Sequence, residues 1–170
     1  MPIAYITAPF TEKSFSKDKT HAYGEIKDMS FRNFLESIES VLKEFGFSTY
    51  LIHRDLHQWG KIYIEPEDAM KCAFEVIKGC DLFVAYPEYS KGPNVELGMA
   101  SALKKRSIII QSGKEKLSLV HAGLNCLSPT SIIKFKDIMD MKEKLRSELS
   151  KHEKEKKGEK KYDQAQLPSS

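Results

Sequence analysis

Cysteine is scarce in this chain, with three in 170 residues, at positions 72, 80 and 126, and no Cys-x-x-C pair. An odd, widely spaced set excludes a disulfide framework; it suits a reducing compartment, with Cys72, Cys80 and Cys126 as packing residues. Long apolar runs are missing too. None approaches the roughly 18 residues of a membrane span. The opening Ile3-Ala4-Tyr5-Ile6 is strand-like, where a secretory signal would be basic and then apolar. The expected location is therefore cytoplasmic, with no membrane partner. Glycine (9) and proline (7) are too few for a collagen-like or low-complexity chain, and 41% apolar content is too high for a disordered one.

Charge of one sign is also nearly absent from the body of the chain. The formal net charge is +3, but the run 151–163 (KHEKEKKGEKKYD) holds six lysines against three glutamates and one aspartate. Two of the three net charges sit there, and the rest of the chain is close to neutral. Residues 151–170 therefore read as a charged, flexible tail or a solvated helix extension beyond a single domain at 1–150. No basic patch on the domain suggests a nucleic-acid polymer as partner.

Within 1–150, short apolar runs alternate with helix-period segments. Residues 3–8 are the first strand. Phe31, Phe34, Leu35, Ile38, Val41, Leu42 and Phe45 then recur at three- and four-residue steps, the mark of one buried helix face. Gly46 ends that helix, and 47–52 is the second strand. A polar loop over 53–65 leads to Pro66 at a helix start, and Ala69, Cys72, Ala73, Val76 and Ile77 form the next stripe. Residues 81–86 are a strand apolar enough to be covered on both faces. Pro93 opens a helix to about residue 105, with Val95, Met99, Ala102 and Leu103 as its buried stripe and Gly98 packed closely on the sheet. Strands at 107–110 and 131–135 follow, then a helix through Ile138, Met141 and Leu145. Strict alternation predicts an α/β fold: a doubly wound, five-stranded parallel sheet of Rossmann or flavodoxin type, helices on both faces, strand order 2-1-3-4-5.

Such a sheet binds ligands beyond the carboxyl ends of its strands, where the strand order reverses. The reversal falls between the first and third strands, so the loops over 8–27 and 87–94 converge there, with 53–65 beside them. No G-x-G-x-x-G and no G-x-x-x-x-G-K-[ST] is present, which argues against a dinucleotide oxidoreductase or a P-loop ATPase. The loop after strand three, Tyr86-Pro87-Glu88-Tyr89-Ser90-Lys91-Gly92-Pro93-Asn94-Val95-Glu96-Leu97-Gly98, carries the most chemistry. Gly92 opens backbone N–H groups at a helix N-terminus to an anion, and Ser90 adds a hydroxyl. Glu96 lies one turn into the helix, where the dipole favours its ionised form and its side chain leans back toward the loop. Such a residue is either an ordinary helix-stabilising acid or the ionised carboxylate that nucleophilic glycosyl chemistry requires.

Over roughly residues 3–150 the chain resembles the nucleoside 2-deoxyribosyltransferase superfamily, which includes the 2'-deoxynucleoside 5'-phosphate N-hydrolases. The resemblance is carried by Cys80-Asp81-Leu82-Phe83-Val84-Ala85, the loop Ser90-x-Gly92, and Glu96-Leu97-Gly98-Met99-Ala100 with Ala102-Leu103. It implies that Glu96 is the nucleophile on the anomeric carbon and that Tyr5 hydrogen-bonds near it. It also implies that Ser90 and Gly92 hold a 5'-phosphate, and that Ser118 is contributed from a neighbouring subunit of a homodimer or larger homo-oligomer. Thr7, Asn94 and Trp59 complete the expected substrate-binding set.

Two departures stand out. Where the N-hydrolase branch follows strand one with a Gly-Ser-x-Arg phosphate loop, this chain has Ala8-Pro9-Phe10-Thr11; Lys13, Lys17, Lys19 or Lys91 would have to replace the arginine. The acid that the family uses at the leaving base falls at Cys72 or Ala73, leaving Asp68, one turn earlier, as the substitute. His53 and His57 raise a metal question, but no third ligand accompanies them, and no metal or organic cofactor is implied. The expected function is cleavage of the N-glycosidic bond of a nucleoside 5'-monophosphate, releasing base and sugar phosphate. The alternatives are base exchange between deoxynucleosides, as in a deoxyribosyltransferase, and a catalytically silent nucleotide-binding protein.

Overall fold

A computed structural model describes residues 1–14, 24–116 and 118–165, with side chains as far as His152. Five parallel strands form one sheet: β1 (Ile3–Thr7), β2 (Ser48–Leu51), β3 (Leu82–Ala85), β4 (Ser107–Ser112) and β5 (Thr130–Phe135). Their order is β2-β1-β3-β4-β5, as the alternation of the sequence predicts. The helices are α1 (Thr11–Ser14), α2 (Met29–Glu44), α3 (Ile52–Asp55), α4 (Pro66–Gly79), α5 (Lys91–Ala102), α6 (Leu119–Gly123) and α7 (Ile138–Ala165).

Side chains alternate across each strand, so every strand feeds two cores. Ala4, Ile6, Leu82, Val84, Ile108 and Ile110 pack on one face against α2 and α7; Tyr5, Phe83, Ala85 and Ile109 pack on the other against α4 and α5. On α2 the buried residues are Phe31, Phe34, Leu35, Ile38, Val41 and Leu42 of the apolar period, together with Glu39. Asp28 caps its start by accepting the Phe31 N–H at 3.0 Å. On α7, Met141, Leu145 and Leu149 are buried, and the charged run after residue 150 continues that helix to Ala165. Among the described residues no helix is long and apolar enough to cross a membrane.

The segment after β2 differs from expectation. The strand stops at Leu51, and Ile52 opens α3, so the loop expected over 53–65 begins as a helical turn. The Asp55 carboxylate closes the turn on the Leu51 N–H at 2.8 Å. Arg54 joins Asp55 to the buried Glu39 of α2, with contacts of 2.7 and 2.8 Å to the two Glu39 oxygens. Further on, Gln58, Trp59 and Gly60 all have positive φ (46°, 60° and 84°). Only glycine fits the last of these, because a Cβ on Gly60 would lie 2.2 Å from the Gly24 carbonyl oxygen. The Trp59 carbonyl accepts the Ile26 N–H at 2.8 Å, which docks this turn on the chain entering α2.

Candidate active site

β1 lies between β2 and β3, with Thr7 opposite Ala85 at its carboxyl end, so strand order reverses there. A cavity of about 240 Å³ opens at this point. Thr7, Thr11, His57, Ser90 and Glu96 supply its polar wall, and Phe10, Ile52, Ile64, Pro66, Ala69 and Met70 its apolar one. Gly92 also lines it, and a Cβ there would meet nothing within 4 Å, so the backbone at the start of α5 is open to a ligand.

Glu96 is turned inward, with 7% of its surface exposed. The buried face of α5 is Pro93, Glu96, Leu97, Ala100 and Ser101. This corrects the apolar stripe expected from the sequence: Val95 is 51% exposed, and Gly98 is exposed with open space where its Cβ would be. The helix is rotated so that its glutamate, not its valine, faces the cavity side. The ionisation expected for Glu96 is corrected as well. Burial pushes its pKa up to about 7, against the opposing pull of the Thr7 and Tyr5 hydroxyls. A helix dipole contributes about 0.3–1 kcal/mol, which is smaller than the desolvation of a buried carboxylate.

Tyr5 does not line the cavity. It is fully buried, its ring stacked between Tyr50 (centroids 5.9 Å apart) and Phe83 (5.4 Å). Burial first and the Glu96 charge second raise its pKa well above 10.0. Tyr50 in turn bonds Cys72 Sγ at 3.4 Å, so Cys72, at the position of the family's acid, is half-buried at the edge of this aromatic stack.

Several expected residues lie elsewhere. Asp68 is 68% exposed at its side chain and pairs with Lys71; the face of α4 toward the cavity is Pro66, Ala69 and Met70, and Asp68 points about 100° away from Ala69. Trp59 packs half-buried on the α2 side of the sheet with the Arg32 guanidinium 5.0 Å over its ring. Asn94 and Ser118 line a second cavity of about 410 Å³ with His121 and Gln111. There Asn94 donates to the Ser90 carbonyl at 2.6 Å, and its side-chain oxygen pairs with His121 Nε2 at 2.7 Å. Among the lysines proposed for the missing arginine, Lys13 sits over the Phe31 ring at 5.0 Å, Lys91 is exposed off the cavity wall, and Lys17 and Lys19 fall outside the described residues. His53 is buried with Nε2 on the Pro9 carbonyl at 3.1 Å, and His57 lies tilted against Phe10 with ring centroids 4.3 Å apart. Among the described residues no group of three His, Cys, Asp or Glu is placed to hold a metal.

The apolar wall escaped the sequence reading, except that Ala69 stood in the α4 stripe. Glu12 was missed altogether. It stands on α1 and accepts the Ser90 hydroxyl at 3.0 Å, and nothing in its local sequence marks it.

No protein-family model and no curated protein matches the chain. Among solved structures it is similar to the CMP N-glycosidase BcmB of Clostridium botulinum, with a TM-score of 0.62 at 21% identity, over 84% of this chain and 97% of that one. The likeness is one of fold.

Proposed function

We propose that the protein cleaves the N-glycosidic bond of a nucleoside or nucleoside 5'-monophosphate, with Glu96 as nucleophile. The observation that carries this reading is a buried glutamate turned from α5 into the switch-point cavity, its pKa pushed up to about 7 by burial. A carboxyl so perturbed in a cleft is a functional-site candidate. The likeness to an N-glycosidase agrees with it.

In this mechanism an ionised Glu96 oxygen attacks C1' as the bond to the base nitrogen breaks, its electron pair leaving with the base. The apolar wall of Phe10, Ile52, Ala69 and Met70 covers the base face, and His57, held neutral by burial, offers it one N–H donor. The departing base takes its proton from solvent. Water then attacks C1' from the face opposite the ester, regenerating the carboxylate and releasing the sugar with net retention. Tyr5 is a positioning residue that acts through Glu96. Ser118 adjoins the exposed Leu119 and Val120 and lies off the Glu96 cavity, which supports its contribution to a second copy's site in a homodimer.

The test is incubation with the common nucleosides and their 5'-monophosphates, with and without an acceptor base, and separation of the products. Free base without acceptor is expected, and a glycosyl ester on Glu96 should be trapped by mass spectrometry. Exchange only with acceptor would make it a transferase. Binding without any product would make it a silent nucleotide binder, and full activity in Glu96→Gln would remove the nucleophile.

A further inference from the structure

Retaining cleavage of a glycosidic bond ordinarily takes two acids, a carboxylate that attacks the anomeric carbon and a second group that protonates what leaves. The cavity has one. Among the described residues Glu96 is the only carboxyl along its wall, and no lysine, arginine or cysteine lines it. α4 does not supply the second acid. Ala73 is buried with Tyr5 and Phe83 in the core, Cys72 is engaged with the Tyr50 hydroxyl at 3.4 Å, and the Asp68 side chain is 68% exposed beside Lys71. His57 is the other titratable group on the wall, and burial holds it neutral. A neutral imidazole is a poor proton donor to a leaving group.

What leaves from such a site does best without a proton. A neutral base would carry the electron pair away as an anion along the apolar wall of Ile52, Ile64, Ala69 and Met70, where an uncompensated charge is costly. A base that is already cationic escapes that cost. The Glu96 oxygen bonds to C1', the C1'–N bond breaks, and its electron pair cancels the positive charge of the ring, so the base departs neutral. Water then attacks C1', the electron pair of the ester bond returns to Glu96, and the spare proton of the water goes to solvent. Cationic nucleoside and water thus give free base, sugar and one proton.

The same wall suits such a base before the reaction. No cationic side chain is there to pair with Glu96, so its carboxylate is the one charge along a cavity of about 240 Å³. A flat heteroaromatic cation has its charge spread over the ring and apolar faces. It can pair with Glu96 and still pack against Ile52 and Met70, which a compact, strongly hydrated ammonium cannot.

Resting on the proposed N-glycosidic cleavage, we propose that this one-carboxylate cavity selects nucleosides whose base is a heteroaromatic cation, an N-glycosylated pyridinium or an N7-alkylated purine, over nucleosides with neutral bases.

The test measures dissociation constants by calorimetry at pH 8, with the wild type and Glu96→Gln. The ligands are two matched pairs that cannot be cleaved: 1-methylnicotinamide against nicotinamide, and 7,9-dimethyladeninium against 9-methyladenine. The wild type should bind the cation of at least one pair about tenfold tighter or more, and the pair that shows it tells a pyridinium from a purinium substrate. Glu96→Gln, of nearly the same shape but uncharged, should bring that ratio to within about twofold of unity. In turnover by the wild type, kcat/KM for nicotinamide riboside or 7-methyladenosine should exceed that for adenosine and cytidine about 100-fold or more, the scale of a positioned acid. Equal binding within both pairs, a preference that survives Glu96→Gln, or neutral nucleosides cleaved as fast as cationic ones each overturns the proposal; base release in the same assays leaves N-glycosidic cleavage standing. A Glu96-dependent preference for the cation with no base released from any substrate removes the cleavage and retains the selection. Neither binding nor release overturns both.

Discussion

The hydroxyl of Tyr5 and the carboxyl of Glu96 are both buried and close enough to shift each other's ionisation, the hydroxyl drawing the carboxyl's pKa down and the carboxyl pushing the phenol's up. One comes from the first strand and the other from a helix 91 positions later; strand alternation and the β1–β3 pairing bring them to one side of the sheet. A carboxylate in such a place is costly to charge until a ligand supplies positive character beside it.

Activity should therefore rise with pH through about 7, because only the ionised Glu96 attacks and burial holds its pKa there. A kcat/KM profile with an acidic limb near that value is the check. Glu96→Gln should lose about 10³-fold or more across the whole range.

The same burial has a cost in stability. A carboxyl raised from 4.5 to about 7 stabilises the fold fully below pH 4.5, and that contribution is lost as pH rises through 7. The loss is worth about 3 kcal/mol at most. Glu96→Gln should thus be more stable than the wild type at pH 8 and nearly equal to it at pH 4.5, as read by urea denaturation.

Tyr5→Phe removes one of the two hydroxyls that draw the Glu96 pKa down. The acidic limb should move to higher pH, and kcat should fall about 10–100-fold with KM changed less, from the range seen for general positioning effects. A purely structural role would lower stability without moving the limb.

Asp68→Asn should leave kcat/KM within about twofold, since an exposed i,i+3 pair contributes about 0.5 kcal/mol or less and the side chain is off the cavity. A loss comparable to that of Tyr5→Phe would show that Asp68 reaches the substrate after all.

On the acid side, His53 controls part of the stability. Its pKa is lowered to about 4 by burial among Phe10, Phe31 and Trp59, so its contribution is complete above 6.5 and is lost as pH falls toward 4. The amount is about 3 kcal/mol. His53→Phe should be less stable at pH 7, because the Pro9 carbonyl loses its donor, yet should lose less on going from pH 7 to pH 5 than the wild type does.

The sheet was legible because burial on both faces demands unbroken apolar strands, and Ile108-Ile109-Ile110 or Leu82-Phe83-Val84 can satisfy little else. The α2 face was legible for a similar reason, since its seven apolar residues serve only packing. The α5 face was not. Its period offered Val95, Met99 and Leu103 as one stripe, and a pattern that counts glutamate as outward cannot see a helix turned to bury Glu96.

By itself the sequence determined the α/β class and the strand order, which follow from local periodicity and from a connection rule that holds for any doubly wound sheet; Glu96 was singled out by the resemblance of its Glu-Leu-Gly segment. Tertiary structure decided the rest. It placed Asp68 and Trp59 off the cavity, set Tyr5 beside Glu96, raised the Glu96 pKa by desolvation, and brought Glu12 onto Ser90 across 78 residues of chain. Burial and long-range juxtaposition belong to the packed molecule and are not encoded in any short stretch of it.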